Sequence, residues 1–390
     1  MKKIRLINGN LILENEIRSM DLLISGSMIE AIIPRDRKTN QQYEVIDCSG
    51  YYISPGFVDI HQHGGGGSDY MDDDPDAYLR ATEAHLRHGT TSVMPTLLSA
   101  DEQTTLRAVD AYNRAKNDTR IRANLLGLHI EGPYISRDQA GAQKPEHIRP
   151  FDYTEYSRIY DRSGGEIKRW SVAPEIEGAG EFANFAKVHG IALSIAHSNA
   201  DFDTVLQAFP LGYTHITHFY SCISSITRRM GFRVPGVLEA AYYLDDMDVE
   251  LIADGCHLPL TLLQYVCKFK DHDRIALVTD AMRAAGQDVK ESFLGCMDDP
   301  LPVIIEDGVA KMSDRMAFAG SIATADRLVA NMCKCGLSIV DAVKMMTANP
   351  LRMMGLNIKK GRILEKYDAD ICVFDEQFMV KKVFCMGNEI

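Results

Sequence analysis

The stretch FVDIHQHGGGG, residues 57–67, joins a short apolar run to two histidines and four glycines. His61 and His63 are two positions apart, so on a β-strand their side chains point to the same face. Such a pair at a strand end favours metal binding, whereas either histidine alone would fit a packing role equally well. The glycines allow the backbone to approach closely whatever lies at this end of the strand.

Seven further apolar runs follow along the chain, each ending near a polar residue and followed by a helix-like stretch. Near-continuous apolar strands that alternate with helices predict a parallel sheet buried on both faces. Eight such units predict a closed (β/α)8 TIM-like barrel, with functional residues at the carboxyl ends of the strands. A doubly wound open sheet is the alternative, but it would not bring five strand ends onto one ring so naturally. The runs are residues 57–60, 90–97, 124–130, 168–174, 191–197, 213–218, 249–254 and 274–280.

The two ends of the chain differ in sequence pattern from the centre. Residues 1–55 and 351–390 consist of short strand-like bursts separated by turn residues. Because both ends share this pattern, we predict one small β domain built from the two termini, flanking a barrel over residues 56–350. A β-like patch, LPVIIEDGVAKM at residues 301–312, interrupts the central region.

The charge and cysteine content restrict the possible partners. Lys and Arg number 42 against 54 Asp and Glu, which gives a net charge of −12 and argues against nucleic acid. The nine cysteines form no CxxC pair, and we find neither a signal peptide nor a long apolar span. We therefore expect a cytoplasmic protein without a membrane partner. An anionic substrate would need locally placed Arg, Lys or His.

Four more side chains at the ends of later runs can bind a metal ion. Burying a bare carboxylate is costly, so Glu131 must be paired with a cation or bind a metal. His197 and His218 each close an apolar run, whereas His215 faces the other side of its strand. Asp280, at the end of the last run, can bind metal and also move a proton. Imidazole and carboxylate ligands suit zinc, iron or manganese, and such an ion lowers the pKa of water to about 7, which predicts hydrolase chemistry.

The motifs PGFVDIHQHG, GLHIEGPYIS, IADGCHL and LVTDAM begin at residues 55, 127, 252 and 277. With them the chain resembles the amidohydrolase superfamily and, within it, the N-acetylglucosamine-6-phosphate deacetylase family, over essentially its whole length. The resemblance implies a (β/α)8 barrel, a small β-sandwich domain formed by both termini, and a homodimer. It also implies hydrolysis of the acetamide of N-acetylglucosamine-6-phosphate, giving glucosamine-6-phosphate and acetate.

The resemblance further implies one or two divalent metal ions, with zinc or iron ahead of manganese, cobalt or nickel. Glu131, His197 and His218 match the ligands of the tighter ion. His61 and His63 match those of a second ion, which shares Glu131. Asp280 matches the family's acid–base residue.

The residues expected to bind substrate depart from the family pattern. Arg233 and His257 match positions that contact the sugar phosphate. Ser221, beside Cys222, replaces the family's Asn, and Gln143 replaces a His that contacts substrate. These changes affect the residues that select the sugar, and they leave the metal ligands unaltered.

Three other functions stay open from the sequence. The first is an amidohydrolase that acts on another N-acetyl amino sugar, such as a galactosamine type. The second is a cyclic-amide hydrolase, which is disfavoured because no Lys lies at a matching strand end. The third, a non-catalytic barrel relative, should have lost metal ligands, and all six are present.

Overall fold

The computed structural model describes residues 2–39 and 42–390. Its centre is a barrel of eight parallel strands, each paired with the next in chain order. A parallel bridge between Gln62 and Ala281 closes the ring, and the N–H of Asp280 donates to the carbonyl of His61 at 2.9 Å. This confirms the predicted fold class. The first to eighth barrel strands are Phe57–Gln62, Thr90–Leu97, Leu128–Glu131, Ile167–Val172, Ala192–Ile195, Tyr213–Ile216, Asp248–Leu251 and Ile275–Leu277.

The helices begin and end at residues that favour these positions. The carboxylates of Asp101, Asp152 and Asp201 accept hydrogen bonds from the first turns of the helices that follow. Gly164 and Gly190 end two helices in the left-handed conformation, with φ of 64° and 67°. The helices of the described residues are Ala77–Leu86, Glu102–Ala115, Tyr153–Ser163, Ala179–His189, Phe202–Ala208, Val237–Tyr243, Leu260–Phe269, Ala325–Lys334, Ile339–Met345 and Ala348–Met353. None of them is long and apolar enough to cross a membrane.

Strands from both ends of the chain share one sheet. Ile371–Phe374 pairs antiparallel with Tyr52–Pro55, which joins the carboxyl-terminal segment to the amino-terminal one. This six-stranded sheet also contains Asn388–Glu389, Val380–Cys385, Asn10–Ile12 and Ile17–Arg18. A second sheet has four strands, all from the amino-terminal segment. Its strand order is Met28–Ile33, Asp21–Ser25, Lys3–Ile7 and Glu44–Asp47.

Buried side chains of these two sheets form one apolar cluster, separate from the main barrel core. Leu6 and Ile24 contribute from the four-stranded sheet, and Ile53, Ile371 and Phe384 from the six-stranded sheet. The alternation of buried and partly buried residues along Lys3–Ile7 is the pattern that a strand with one covered face requires. The domain boundaries at residues 55 and 350 stay a prediction.

Two small antiparallel sheets are inserted between elements of the barrel. A three-stranded antiparallel sheet follows the eighth barrel strand, and it contains the β-like patch seen in the sequence. A two-stranded hairpin lies between the sixth barrel strand and the next helix. The sheet strands are Glu291–Leu294, Leu301–Glu306 and Val309–Met312, and the hairpin strands are Thr227–Arg229 and Phe232–Val234.

Candidate metal centre and substrate cavity

The first and eighth barrel strands bring three candidate ligands together. The Nε2 atoms of His61 and His63 lie 3.3 Å apart. Oδ1 of Asp280 lies 3.1 Å from Nε2 of His63 and 3.4 Å from Nε2 of His61. All three side chains are buried, and their ligand atoms lie close enough to hold one metal ion. We call this group the first cluster.

The third, fifth and sixth barrel strands supply a second cluster. Nε2 of His197 lies 3.2 Å from Nε2 of His218. Oε1 of Glu131 lies 2.9 Å from Nε2 of His218 and 3.4 Å from Nε2 of His197. These atoms also satisfy the spacing of a shared ion. All six residues singled out in the sequence therefore lie together at one end of the barrel.

Glu131 stands between the two clusters. Its Oε1 is 3.6 Å from Nε2 of His61, and its Oε2 is 3.5 Å from Nε2 of His63. A single carboxylate thus faces histidines of both groups, an arrangement that could serve two neighbouring cations.

Outer hydrogen bonds set which nitrogen of each ring faces the clusters. Nδ1 of His63 lies 3.3 Å from the carbonyl oxygen of Thr96, and Nδ1 of His197 lies 2.8 Å from that of Gln139. Because a carbonyl only accepts, each Nδ1 carries the hydrogen, and in the neutral form of each ring Nε2 presents a lone pair inward. Converging imidazole lone pairs at these short distances fit a divalent cation between them. Nδ1 of His218 is buried and has no hydrogen-bond partner among the described residues.

The backbone at the strand ends is held in an unusual conformation. His197, His218 and Asp280 have φ of 46°, 31° and 47°, in the left-handed region that non-glycine residues rarely adopt. Each such residue costs about 1–3 kcal/mol, and such strain concentrates at functional sites. The rest of the fold must therefore hold these three side chains in place.

The clusters also perturb one another's ionisation. Burial raises the pKa of Asp280, but the neighbouring His61 and His63 outweigh it and lower the pKa to about 2. Burial likewise opposes the charge on His63, yet its hydrogen bond with Asp280 and the nearby carboxylates raise the pKa to about 9. Asp280 is consequently an ionised carboxylate, able to accept a proton at neutral pH.

A cavity of about 380 Å³ opens beside the clusters. Of the residues that the sequence assigned to substrate, Gln143, Ser221, Cys222 and His257 line it. Arg233 does not: it is exposed on the hairpin, on the strand Phe232–Val234. The structure therefore does not bring Arg233 to this cavity, and its contact with substrate stays a prediction.

Gln143 makes contacts on the protein side of the cavity. Its Nε2 donates to Oε2 of Glu131 at 2.9 Å, and its Oε1 accepts from the N–H of Ser99 at 2.9 Å. The side chain is thus fixed against a candidate metal ligand while still lining the cavity.

Two residues at the cavity wall were missed by the sequence analysis. Arg315 and Phe318 line the cavity from the segment that follows the three-stranded sheet. Nε of Arg315 donates to Oε1 of Glu306 at 2.8 Å. Neither residue belongs to the motifs quoted above, and the distance of this segment from the barrel strands could not be read from the sequence.

The glycines after His63 allow neighbouring parts of the protein to approach the backbone closely. A Cβ on Gly65 would lie 2.6 Å from Nε2 of His85, and one on Gly66 would lie 2.8 Å from the carbonyl of Arg80. Both contacts are with the helix Ala77–Leu86, so the glycines are required for packing against that helix. None of the four lines the cavity.

A family model confirms the class of protein. Residues 52–390 match the amidohydrolase family, and the chain belongs to it, in agreement with the barrel and its histidine and carboxylate clusters. This family is metal-dependent, and its members are hydrolases.

Individual members of the family are similar to this chain over most of its length. The chain is 32% identical to the N-acetylglucosamine-6-phosphate deacetylase of Lysinibacillus sphaericus, covering 89% of this chain and 88% of the relative. It is 28% identical to the N-acetylgalactosamine-6-phosphate deacetylase of Escherichia coli O157:H7, covering 94% and 93%. A solved structure of a mutant N-acetyl-D-glucosamine-6-phosphate deacetylase from Mycobacterium smegmatis, in complex with N-acetyl-D-glucosamine-6-phosphate, matches with a TM-score of 0.91. The match has 27% identity and covers 100% of this chain and 99% of that one.

Proposed function

We propose that this chain hydrolyses the acetamide of N-acetylglucosamine-6-phosphate to glucosamine-6-phosphate and acetate. The observation that carries the proposal is the pair of buried clusters joined by Glu131, at the end of a cavity of about 380 Å³. A cavity of this size accepts a single small ligand. The names of the relatives support the choice of substrate.

The residues that would hold metal are those of the two clusters. Glu131, His197 and His218 would form the tighter site, and His61 and His63 would hold a second ion that shares Glu131. A divalent ion there supplies Lewis-acid polarisation of the carbonyl and makes water more acidic. The nitrogen-rich donor set favours zinc or iron over harder ions such as magnesium.

Asp280 is the residue that moves the proton. It is ionised, buried beside both histidines of the first cluster, and lines the cavity. In the reaction it accepts a proton from the attacking water as the new C–O bond forms. It then donates that proton to the nitrogen as the C–N bond breaks, which releases the free amine and acetate.

His257 presents a fixed imidazole ring at the cavity wall. Its Nδ1 lies 2.9 Å from Oδ2 of Asp254, and its own N–H donates to Oδ1 of Asp254 at 2.8 Å. This anchoring fixes the ring, which suits contact with a phosphate or a sugar hydroxyl. Ser221 and Cys222 line the same cavity and complete the proposed sugar contacts.

The proposal also covers the oligomeric state, the location and the partners of the enzyme. We expect a homodimer in the cytoplasm, as the resemblance implies. Neither nucleic acid nor a membrane is an expected partner, given the acidic net charge of −12.

The test is a deacetylation assay with the zinc- or iron-loaded protein against a panel of N-acetyl sugars. The panel contains N-acetylglucosamine and N-acetylgalactosamine, each with and without a 6-phosphate. We expect the highest kcat/KM with N-acetylglucosamine-6-phosphate. Preference for the galactosamine epimer would move the assignment to that sugar, and no hydrolysis of any member would refute the proposal. Cyclic amides serve as a negative control.

A further inference from the structure

A fully buried ion pair lies inside the barrel, next to the first cluster. Arg169 of the fourth barrel strand and Glu250 of the seventh are both 0% exposed, and their charged groups are in contact. The interior of such a barrel is usually filled by branched apolar side chains. Because removing two charges from water costs several kcal/mol per ion, packing alone does not explain this pair.

Arg169 is held on all sides. Its Nε donates to Oγ of Ser194 at 2.9 Å, and its Nη2 donates to Oγ1 of Thr217 at 2.9 Å. Its Nη1 lies 3.3 Å from the carbonyl oxygen of Ile60 and also contacts Glu250. The guanidinium is therefore a fixed positive charge directed at the Glu250 carboxylate.

Glu250 in turn contacts both clusters with one oxygen. Its Oε2 lies 3.3 Å from Nδ1 of His61 and 3.3 Å from the backbone N–H of His218. An ionised carboxylate only accepts hydrogen bonds, so Nδ1 of His61 must carry the hydrogen. The lone pair of His61 Nε2 then points toward His63 and Asp280.

The acceptor of His61 differs from those of its neighbours. His63 and His197 donate to backbone carbonyls, which are neutral, whereas His61 donates to a carboxylate. A carboxylate partner makes the imidazole a stronger donor to a metal and fixes its orientation.

We propose that Glu250, held by Arg169, is a positioning residue that fixes the tautomer of His61 and ties the first cluster to the second. The inference rests on the proposed metal-dependent function, but it concerns metal binding and needs no substrate.

The first experiment compares metal affinities, measured with zinc by competition against a chelator. Glu250→Gln keeps the side-chain shape but removes the charged acceptor, and it should weaken zinc binding about 10–100-fold. It should reproduce the defect of His61→Asn. Combining the two changes should weaken binding no further than His61→Asn alone, since both act through one ligand. Unchanged affinity in Glu250→Gln, or losses that add in the double variant, would overturn the proposal.

The control is Asp248→Asn, on the same strand. Asp248 begins the strand, one step below Glu250 on the same face and away from the two clusters, and its Oδ1 lies 2.7 Å from Nη2 of Arg352. This variant loses a similarly placed carboxylate and should keep the zinc affinity of wild type. An equal loss there would mean that any disturbance of the strand weakens the site, which contradicts a specific role for Glu250.

A second variant covers the case in which Glu250→Gln leaves Arg169 unpaired and the protein fails to fold. Arg169→Met with Glu250→Leu removes both charges, and such replacements of buried pairs are commonly tolerated. This double variant should fold, as judged by circular dichroism, and should still show the zinc defect. Wild-type affinity in the folded double variant would refute the role of the pair.

Wild type itself provides a test that requires no stable Glu250 variant. In protein labelled on the histidine nitrogens, imidazole resonances report which ring nitrogen carries hydrogen, and the His61 signal is identified by its loss in His61→Asn. We expect hydrogen on Nδ1, and hydrogen on Nε2 instead would overturn the proposal. Neither the zinc titration nor the imidazole resonances involve a sugar. The role of Glu250 can therefore be confirmed or refuted even if the proposed substrate is wrong.

Discussion

Oδ1 of Asp280 lies 3.1 Å from Nε2 of His63, although the two residues come from opposite ends of the barrel sequence. The contact exists because the eighth strand returns beside the first, where the N–H of Asp280 donates to the carbonyl of His61 at 2.9 Å. A carboxylate placed in this way faces the cavity and a histidine cluster at once. The closure of the barrel thus creates the base of the proposed reaction.

Asp280→Asn should abolish turnover while sparing the second cluster. The amide cannot accept the proton of water, so we expect kcat to fall by several orders of magnitude, more than the usual 10²–10⁴-fold worth of a general base alone. Metal held by Glu131, His197 and His218 should remain, as measured by elemental analysis. The exposed Asp203→Asn is the matched control and should leave kcat unchanged. Near-normal turnover in Asp280→Asn would contradict this role.

Changes at the two clusters should have unequal effects on metal content. His61→Asn together with His63→Asn should retain about one ion per chain, because the second cluster is intact. Glu131→Gln should weaken both sites, since its two oxygens face histidines of both groups within 3.6 Å. Elemental analysis after dialysis distinguishes these outcomes. Unchanged metal content in Glu131→Gln would show that the carboxylate does not bridge.

Much of this architecture could be predicted because buried parallel strands appear in the sequence as short, nearly continuous apolar runs. Every one of the eight apolar runs overlaps a barrel strand, and the six candidate ligands lie at or just past the ends of the runs. The third run is the least regular: it is split into Asn124–Leu125 and Leu128–Glu131, with Gly127 at φ of 114° between them. Apolar content alone does not reveal such a break.

Contacts across the barrel could not be predicted in the same way. Arg169 and Glu250 are visible in sequence as charges inside the apolar runs KRWSVAP and VELIAD. Their pairing depends on strand register and barrel diameter, which no single run specifies. Arg233 is the opposite case, since a motif match suggested a role but gave no position, and its side chain is exposed on the hairpin.

Two arginines are candidates for binding the phosphate of the proposed substrate. Arg315 lines the cavity, whereas Arg233 is exposed on the hairpin. We expect Arg315→Ala to raise KM for the 6-phosphate sugar roughly tenfold, a modest loss because the side chain is 55% exposed and paired with Glu306. KM for the unphosphorylated sugar should not change.

The matching test on the hairpin uses Arg233→Ala with Arg228→Ala as its control. Arg228 lies directly opposite Arg233 in the hairpin register and is also exposed. If Arg233 contacts the phosphate, Arg233→Ala should raise KM by the equivalent of about 1.5–3 kcal/mol, the usual worth of a hydrogen bond to a charged group. Equal effects of the two hairpin variants would indicate a general charge effect, without a specific contact by Arg233.

The stability of the fold should depend on pH through His85. This side chain is buried in the helix Ala77–Leu86, where its Nε2 lies 2.9 Å from the carbonyl oxygen of Gly64. Burial lowers the pKa of His85 to about 4, although the hydrogen bond to Gly64 acts in the opposite direction. Its Nδ1 is buried without a hydrogen-bond partner among the described residues, so a proton there would be poorly stabilised.

The sign of the effect follows from the two states of the histidine. In the unfolded chain His85 takes up a proton below pH about 6.5, whereas in the fold it stays neutral down to about pH 4. The unfolded state therefore binds more protons in this window, and the free energy of unfolding falls as the pH drops from about 6.5 to 4. At about 1.4 kcal/mol per pKa unit, the total loss is on the order of 3 kcal/mol.

His85→Gln removes this titration while leaving an amide that can still donate to Gly64. Denaturant unfolding of wild type and variant between pH 4 and 7 should give a difference curve that is flat above about pH 6.5 and favours the variant increasingly below it. Other acid-sensitive groups, including those of the metal clusters, are common to both proteins and cancel in the difference. The exposed His189→Gln controls for the loss of a histidine and should show a much smaller slope. A difference curve for His85→Gln that is flat over the whole range would mean that His85 takes up its proton equally readily in the folded and unfolded states.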